Sequence, residues 1–573
     1  MKKFNNSKIT IHSLFLLALC ARVIYLVSTH FQTMLLHYNF HQGTDMIHWY
    51  QSGIQRYREG FIHINSDFSS LKHIYPDLLG LFIIIFQSKS IFVPIVFQIV
   101  LGAANVYLIY YCAHSIYRNY SIAYLAVILY IFSGIFWVYE LLLLRESIAV
   151  FLFLSILAIS YKIYLQSKSR EPVSMKIIFL YGLTFSLAIC FRFNFYILLI
   201  IALSLLVFWF RRHGKKQIVQ LLMIFLLGLF LILGPFRWRS NRILIQNSQL
   251  GLINHFNLFN HIGKVKNDLN KRVGGDVYKY MNRGERDQRL HPAIKNKTSW
   301  NYFKGWLQNK TQDAYLWFSS YEIPENIDFY QFYQISGFIQ AFPVRMSILF
   351  PLGLIGLILS FRRYPRIYLL IIWITVFSLS FIITLITSRY RLPIVAALTI
   401  PAAFYIHQCI LFIKGKPFLQ KPYFILSIGA TIFLFYYFHF FPEESAHIKQ
   451  CFYSQEYLGI LIEHKRFDLA EQEANFALND CNCEYAITAL GKIYLKLQRP
   501  ELAYQILYKN QDKVIDINYT AWLYYTGMSL INTGKISDGL KYLKQMKSRK
   551  DVDPTTIRQV EAFIQHFDTL AVR

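Results

Sequence analysis

The stretch from Ile218 to Phe236, IVQLLMIFLLGLFLILGPF, holds no charged residue and runs straight into Arg237-Trp238-Arg239-Ser240-Asn241-Arg242. A hydrocarbon core of roughly 30 Å is crossed by about 20 apolar residues in a helix. The stretch therefore reads as a membrane span ending on a cluster of cations. The rest of the chain has the same character: of 573 residues, 55% are hydrophobic, 17% aromatic and only 16% charged, which excludes an ordinary soluble globule.

Windows of spanning length fall at about Ile9 to Ser28, Ile91 to Ala113, Ser121 to Leu142, Ser147 to Leu165, Ile177 to Phe191, Phe195 to Phe210, Ile218 to Phe236, Met346 to Phe361, Ile367 to Thr387, Leu392 to Ile413 and Phe424 to Phe441. An all-α, polytopic fold with about 11 transmembrane helices is expected. Leu78 to Phe86 is too short to cross and reads as a half-helix or re-entrant piece. The N-terminal apolar run is longer than a signal-peptide core and lacks a small-residue cleavage site, so it is expected to remain as a span.

Lys and Arg beside the spans set the orientation, because cytoplasmic connections retain them. Lys2, Lys3 and Lys8 put the N-terminus inside, and alternate connections carry Arg118, then Lys168, Arg170 and Lys176, then Arg211, Arg212, Lys215 and Lys216, then Arg362, Arg363 and Arg366, then Lys414, Lys416 and Lys421. The net charge of +27 is thus largely topological bias, with some left for anionic lipid, and no DNA-binding spacing supports a nucleic-acid partner. This register puts outside two loops, about 29–90 and 237–345, and a domain over 442–573; residues 1–441 form the membrane domain.

Of seven cysteines, Cys20, Cys112, Cys190 and Cys409 fall in spans, while Cys451, Cys481 and Cys483 fall in the external tail. An oxidising compartment would permit a disulfide from Cys451 to Cys481 or Cys483. Zinc would need a fourth ligand, for which His447 and His464 are weak candidates. In the tail, Leu490-Gly491-Lys492-Ile493-Tyr494 with Ala503 and Leu507 has the Leu-Gly, Tyr and Ala spacing of a tetratricopeptide helix pair. Tyr525-Thr526-Gly527 with Leu530, Gly539 and Leu543 repeats it about 36 residues later, and Leu458-Gly459 with Ala470 is a weaker earlier copy. Such an array offers a concave surface for an acceptor or partner protein; a plain helical cap is the alternative.

Four signals carry chemistry. Asp45 follows the first span and opens a segment in which Ile47, Tyr50, Ile54, Tyr57 and Phe61 recur at helical spacing, so it sits near the N-terminus of an interfacial helix, as its cap or as a reactive carboxylate. Arg237, Arg239 and Arg242 stand on the outer face against the orientation bias, where they suit phosphate contacts or snorkel to lipid headgroups. Arg389 and Arg391 in Ser388-Arg389-Tyr390-Arg391-Leu392-Pro393, and Arg192 at another outer turn, repeat that pattern, so several cations could surround one anionic site. Tyr321-Glu322-Ile323-Pro324-Glu325-Asn326 follows an aromatic stretch and suits a headgroup belt or a sugar pocket.

Taken in order, the acid after span one with a following Tyr50, Tyr75-Pro76 before an apolar half-helix, the arginine segment after Gly234-Pro235, the Tyr-Glu-Ile-Pro loop and the Arg-Tyr-Arg-Leu-Pro turn resemble GT-C glycosyltransferases. The likeness is to bacterial members similar to dolichyl-phosphate-mannose protein mannosyltransferases, and it covers roughly Ile9 to Phe441. It implies a multi-pass protein of the bacterial cytoplasmic membrane, a polyprenyl-phosphate sugar donor, transfer with inversion on the outer face to a protein or glycan acceptor, and Asp45 as general base. Many relatives carry a second acid beside the first; here Met46 follows Asp45, and Glu140, Glu146, Asp67 and Asp77 are the candidates for that role. Donor phosphate contacts fall to Arg192, Arg237, Arg239, Arg242, Arg389 and Arg391, and the sugar or acceptor pocket to Tyr50, Tyr75, Tyr321, Glu322 and Asn326.

The chemistry agrees independently of the family. Outside the membrane there is no nucleotide-sugar pool, so a donor must arrive on lipid and leave a phosphate at headgroup level, where guanidiniums stabilise it. A divalent ion could share that task, although no ligand spacing demands one. Two other readings stay open. A lipid-linked glycan transporter or flippase would show two repeated halves, which are not evident. An O-antigen ligase or polymerase would use a lipid pyrophosphate and an outer-loop Arg and His pattern that is likewise not evident.

Overall fold

The computed structural model describes residues 2–28, 45–60, 74–168, 174–211, 214–247, separate positions across 307–345, then 346–384, 386–415 and 421–439, and most of 458–549 with a few positions up to 565. The chain divides into two compact units, Met1–Gly274 with Asp287–Phe441, and Gly275–Arg286 with Pro442–Arg573. The first unit contains α1 (Lys2–Ser28), α2 (Asp45–Glu59), α3 (Tyr75–Phe86), α4 (Phe92–Tyr117), α5 (Tyr120–Ile131), α6 (Ile135–Glu140), α7 (Glu146–Lys168), α8 (Met175–Phe191), α9 (Phe195–Phe210) and α10 (Lys215–Asn247). It continues with α11 (Gly337–Gln340), α12 (Met346–Phe361), α13 (Ile367–Ile383), α14 (Ser388–Ile413) and α15 (Lys421–His439). No β-strand occurs among the described residues.

Among the described residues five helical stretches are long and apolar enough to cross a membrane: Ile11–Ser28, Phe92–Tyr117, Glu146–Lys168, Lys215–Trp238 and Ser388–Ile413. The other expected windows fall on apolar helices of 10–17 residues. At about 1.5 Å per residue these reach no more than roughly 26 Å, short of a typical core unless the bilayer thins around them. One of them, α8, packs on the long α10 through small residues. Gly182 of α8 and Gly228 of α10 face each other so closely that a Cβ at Gly182 would lie 2.0 Å from the Phe225 carbonyl oxygen, and one at Gly228 2.3 Å from that of Phe179. Backbone meets backbone there, the close approach that small residues permit between membrane helices.

Asp45 does open a helix, but the face of α2 that is covered differs from the expected apolar stripe. Met46, Trp49, Gly53 and Arg56 are buried, whereas Ile47, Tyr50 and Ile54 are only half-buried and Tyr57 is exposed. The reason lies in α3. Gly53 and Gly80 bring the two helices together, and the Arg56 guanidinium, which cannot be buried alone, meets the Asp77 carboxylate at 2.9 Å.

The second unit is a stack of helices: α16 (Phe467–Asn479), α17 (Tyr485–Lys496), α18 (Pro500–Lys509), α19 (Asp516–Asn532) and α20 (Ile536–Lys547). Each packs on its chain neighbour, and α17 also packs on α19. Small residues at the repeating positions sit in these contacts, with Gly491 against Leu507, and Gly527 against the Gly539 carbonyl and Leu543. Cys451, Cys481, Cys483, His447 and His464 lie outside the described residues.

The expected span over Ser121 to Leu142 is not one helix. Helix α5 stops at Ile131, the Ser133 hydroxyl donates to the Val344 carbonyl at 2.8 Å, and α6 ends after six residues in the non-helical run Leu141–Arg145. Every residue from Ile135 to Leu144 is buried, so the freed carbonyls need partners. The side-chain amide of Gln98 in α4 supplies them, donating to the Glu140 carbonyl at 2.9 Å and to that of Leu142 at 2.7 Å. The Tyr75 hydroxyl donates in turn to Gln98 Oε1 at 3.0 Å. Arg22 of α1 fixes the end of α6 by a buried two-pronged contact with Glu140, at 2.7 and 3.2 Å, lying 5.3 Å over the Tyr130 ring.

The space beside this pair is filled. A Cβ at Gly102 would lie 2.0 Å from Glu140 Oε1. Gly102→Ala is therefore expected to destabilise the protein by about 1–3 kcal/mol through overpacking, read as a lower thermal midpoint in detergent. Gly429→Ala, with no atom within 4 Å of the added Cβ, is the control. Equal midpoints for the two variants would show that the pair yields without cost.

Candidate functional site

Four separate segments meet around Asp45. The Asp45 carboxylate, in the first turn of α2, accepts from Arg389 Nη2 in the first turn of α14 at 2.9 Å; the aspartate side chain is 38% exposed and that of the arginine 3%. Arg389 Nε lies 3.7 Å from Glu146 Oε1 at the start of α7, and Glu146 is also paired with Arg192, which follows the last residue of α8. Tyr390 joins the two arginines. Its ring lies 4.3 Å below the Arg192 guanidinium, and its hydroxyl accepts from Arg389 Nη2 at 3.0 Å. Arg145 closes the group, donating to the Phe191 carbonyl at 3.2 Å and lying 5.5 Å over the ring of Trp49, one turn along α2 from Asp45.

A cavity of about 180 Å³ opens among these residues, lined by Arg145, Arg192, Asn194, Thr384 and Tyr390, with Phe193 and Phe381 as apolar walls. Burial pulls the Arg192 guanidinium down to about 10, and the Glu146 carboxylate opposes the drop, so the group stays cationic at neutral pH. Among the described residues the cluster holds three guanidiniums, Arg145, Arg192 and Arg389, and two carboxylates, Asp45 and Glu146. The lining itself carries two guanidiniums, Arg145 and Arg192, and no carboxylate, so the chemistry of the cavity favours an anion. Both carboxylates are engaged by guanidiniums. Among the described residues no three of His, Cys, Asp and Glu converge on a metal position.

The structure thus brings together Asp45, Glu146, Arg192 and Arg389. Arg237 lies at the rim, 4.6 Å over the Phe193 ring and donating to the Tyr196 hydroxyl at 3.2 Å. Arg391 is elsewhere: it pairs with Glu322 at 2.8 Å, both side chains 1% exposed, and donates to the carbonyls of Trp317 and Ser319 at 3.1 and 2.9 Å. Asp77 and Glu140 belong to the pairs with Arg56 and Arg22, and Tyr75 to the Gln98 network. The Tyr50 hydroxyl donates to the Lys89 carbonyl at 2.7 Å. Asp67, Tyr321 and Asn326 lie outside the described residues, as do the side chains of Arg239 and Arg242 in α10.

Arg145, Trp49, Thr384 and Tyr390 join the site without having been singled out in the sequence. Arg145 had a signal, since Arg145-Glu146 is a charged doublet between the apolar runs Leu141–Leu144 and Ser147–Leu154. No protein-family model matches the chain, and no curated protein matches it either.

Arg389 and Arg391 should therefore separate in a stability measurement. Arg391→Ala removes the counter-charge of a fully buried Glu322 and should cost about 3–5 kcal/mol. Arg389→Ala leaves a hydrated Asp45 and a Glu146 still paired with Arg192, and should cost substantially less. Thermal unfolding of the two purified variants checks the order, and a smaller loss for Arg391→Ala would contradict it.

Proposed function

We propose that the protein is a GT-C-type glycosyltransferase of the bacterial cytoplasmic membrane that moves a sugar from a polyprenyl-phosphate donor to an acceptor hydroxyl on the extracytoplasmic face, with inversion. The observation that carries the reading is the pair of guanidiniums lining the cavity, Arg145 and Arg192, with the partly exposed Asp45 carboxylate joined to its wall through Arg389 and Tyr390. The bond between the anomeric carbon and the phosphate oxygen breaks, and that carbon bonds to the acceptor oxygen. The acceptor proton passes to Asp45, and the electron pair leaves on the lipid phosphate, which gains a second negative charge. Arg192 and Arg145 offset that charge as it develops, a form of electrostatic stabilisation. Glu146 orients Arg192 and Arg389 as a positioning residue.

An arginine-paired carboxylate is a weak base, and a weak base suffices here. In an oxocarbenium-like transition state the acceptor hydroxyl becomes acidic only as its new bond forms. The pair with Arg389 aims Asp45, and its exposure gives an acceptor access. The sugar and the acceptor are selected outside this charge cluster. For the acceptor we assign the helical stack of the C-terminal unit, read as tetratricopeptide-like.

One feature favours transport of the lipid-linked sugar as a second reading: the non-helical run Leu141–Arg145 beside buried charges, since transporters bind at interrupted helices. Transfer in detergent solution separates the two, because transport needs a sealed vesicle and yields no new bond.

Asp45→Asn keeps the shape and removes the basic oxygen. It should lower transfer by roughly 10²- to 10⁴-fold while donor binding persists in a direct binding assay. Near-normal transfer by the folded variant would move the base elsewhere. Removing residues 453–573 should leave transfer to a small surrogate acceptor intact and impair transfer to the native one. Loss of both in a folded truncation would assign the C-terminal unit to the reaction itself.

A further inference from the structure

Helices α9 and α10 are joined through residues 211–214, and the chain re-enters helix at Gly214, whose φ of +90° suits glycine and strains other residues. Between the two helices at this end lies an open groove of about 700 Å³, walled by Leu203, Val207, Phe208, Leu222 and Leu226. Its hydroxyl, Ser204, is turned back onto the Ile200 carbonyl at 2.9 Å and makes no polar demand on an occupant. From Leu203 to Arg211 the groove runs about 12 Å at 1.5 Å per residue, most of one leaflet.

Cations gather at one end of it. The Arg211 guanidinium lies 4.5 Å over the Phe208 ring inside the groove, and Lys215 and Lys216 open α10 at the same end. The first turn of α10 adds helix N-terminal N–H groups, which favour an anion. No Asp or Glu occurs from Phe195 to Gly234, so the hairpin supplies no counter-charge of its own. An apolar slot with a cationic mouth matches an amphiphile with an anionic head.

We propose that the α9–α10 hairpin binds one anionic glycerophospholipid, with an acyl chain in the groove and its phosphate against Arg211, Lys215 and Lys216. The site is distinct from the donor pocket. Arg192 and Arg211 stand at opposite ends of α9, about 24 Å apart along a 16-residue helix, so the two phosphates belong to different leaflets. The assignment does not depend on the transferase reading.

The test uses full-length protein in mild detergent, titrated with phosphatidylglycerol or phosphatidylcholine of the same acyl chains, with bound lipid counted by native mass spectrometry. Wild type should retain a single phosphatidylglycerol with clear preference over phosphatidylcholine. The triple variant Arg211→Gln, Lys215→Gln, Lys216→Gln should lose roughly tenfold or more of that preference, each surface cation contributing roughly fivefold. Val207→Trp, on the half-exposed wall, should reduce retention of both lipids while leaving the charges in place. Equal retention of the two lipids by wild type would mean ordinary annular lipid and overturn the assignment. So would an unchanged preference in the triple variant, or undiminished retention by Val207→Trp.

Discussion

The side-chain amide of Gln98 holds open the interruption on which the rest of the first unit depends. A helix that stops inside an apolar bundle leaves carbonyls that must find donors, and Gln98 serves those of Glu140 and Leu142 together. With the break satisfied, the chain can leave α6, turn through Leu141–Arg145 and restart as α7 with Arg145 and Glu146 at its head. A continuous helix from Ser121 would have carried both residues elsewhere. The Arg22 and Glu140 pair pins the end of α6, and the Tyr75 hydroxyl orients Gln98, so α1, α3 and α4 all act on the placement of the site's charges.

The charge cluster has a division of labour that follows from burial. Glu146 is fully enclosed and balances arginines from two different turns, while Asp45 is reached by solvent and balances one of them. Removing a buried partner strands the other, whereas removing an exposed one is offset by water. The enclosed carboxylate therefore belongs to the architecture of the cluster, and the exposed one is open to solvent. Tyr390, stacked under Arg192 and bonded to Arg389, lets two like charges share one locality without direct contact.

Much of this was legible in sequence because charges in an apolar chain are conspicuous. Asp45, Arg192 and Arg389 stand out for their place at span ends, and the structure gathers them together. What remained hidden depends on rotation about a helix axis and on tertiary breaks. Arg389 and Arg391 look equivalent two positions apart, yet at about 100° per residue they leave the helix on nearly opposite sides. One borders the site, and the other anchors the Trp317–Glu322 segment. The covered face of α2 was missed for a related reason: Gly53 and Arg56 are poor predictors of burial until α3 brings Gly80 and Asp77 to meet them. The break before Arg145 had no proline to announce it; it rests on Gln98, more than forty residues earlier.

The touching glycines of α8 and α10 have a mechanical result. Where backbones are in contact, no rotamer change can move one helix toward the other, so Gly182 and Gly228 form a pivot of fixed gauge. Arg192 extends from the end of α8 and Arg237 from α10, and the Phe193 ring lies against Arg237. Main chain thus sets the separation of the two helices, while Glu146 and Tyr390 fix where the Arg192 guanidinium lies.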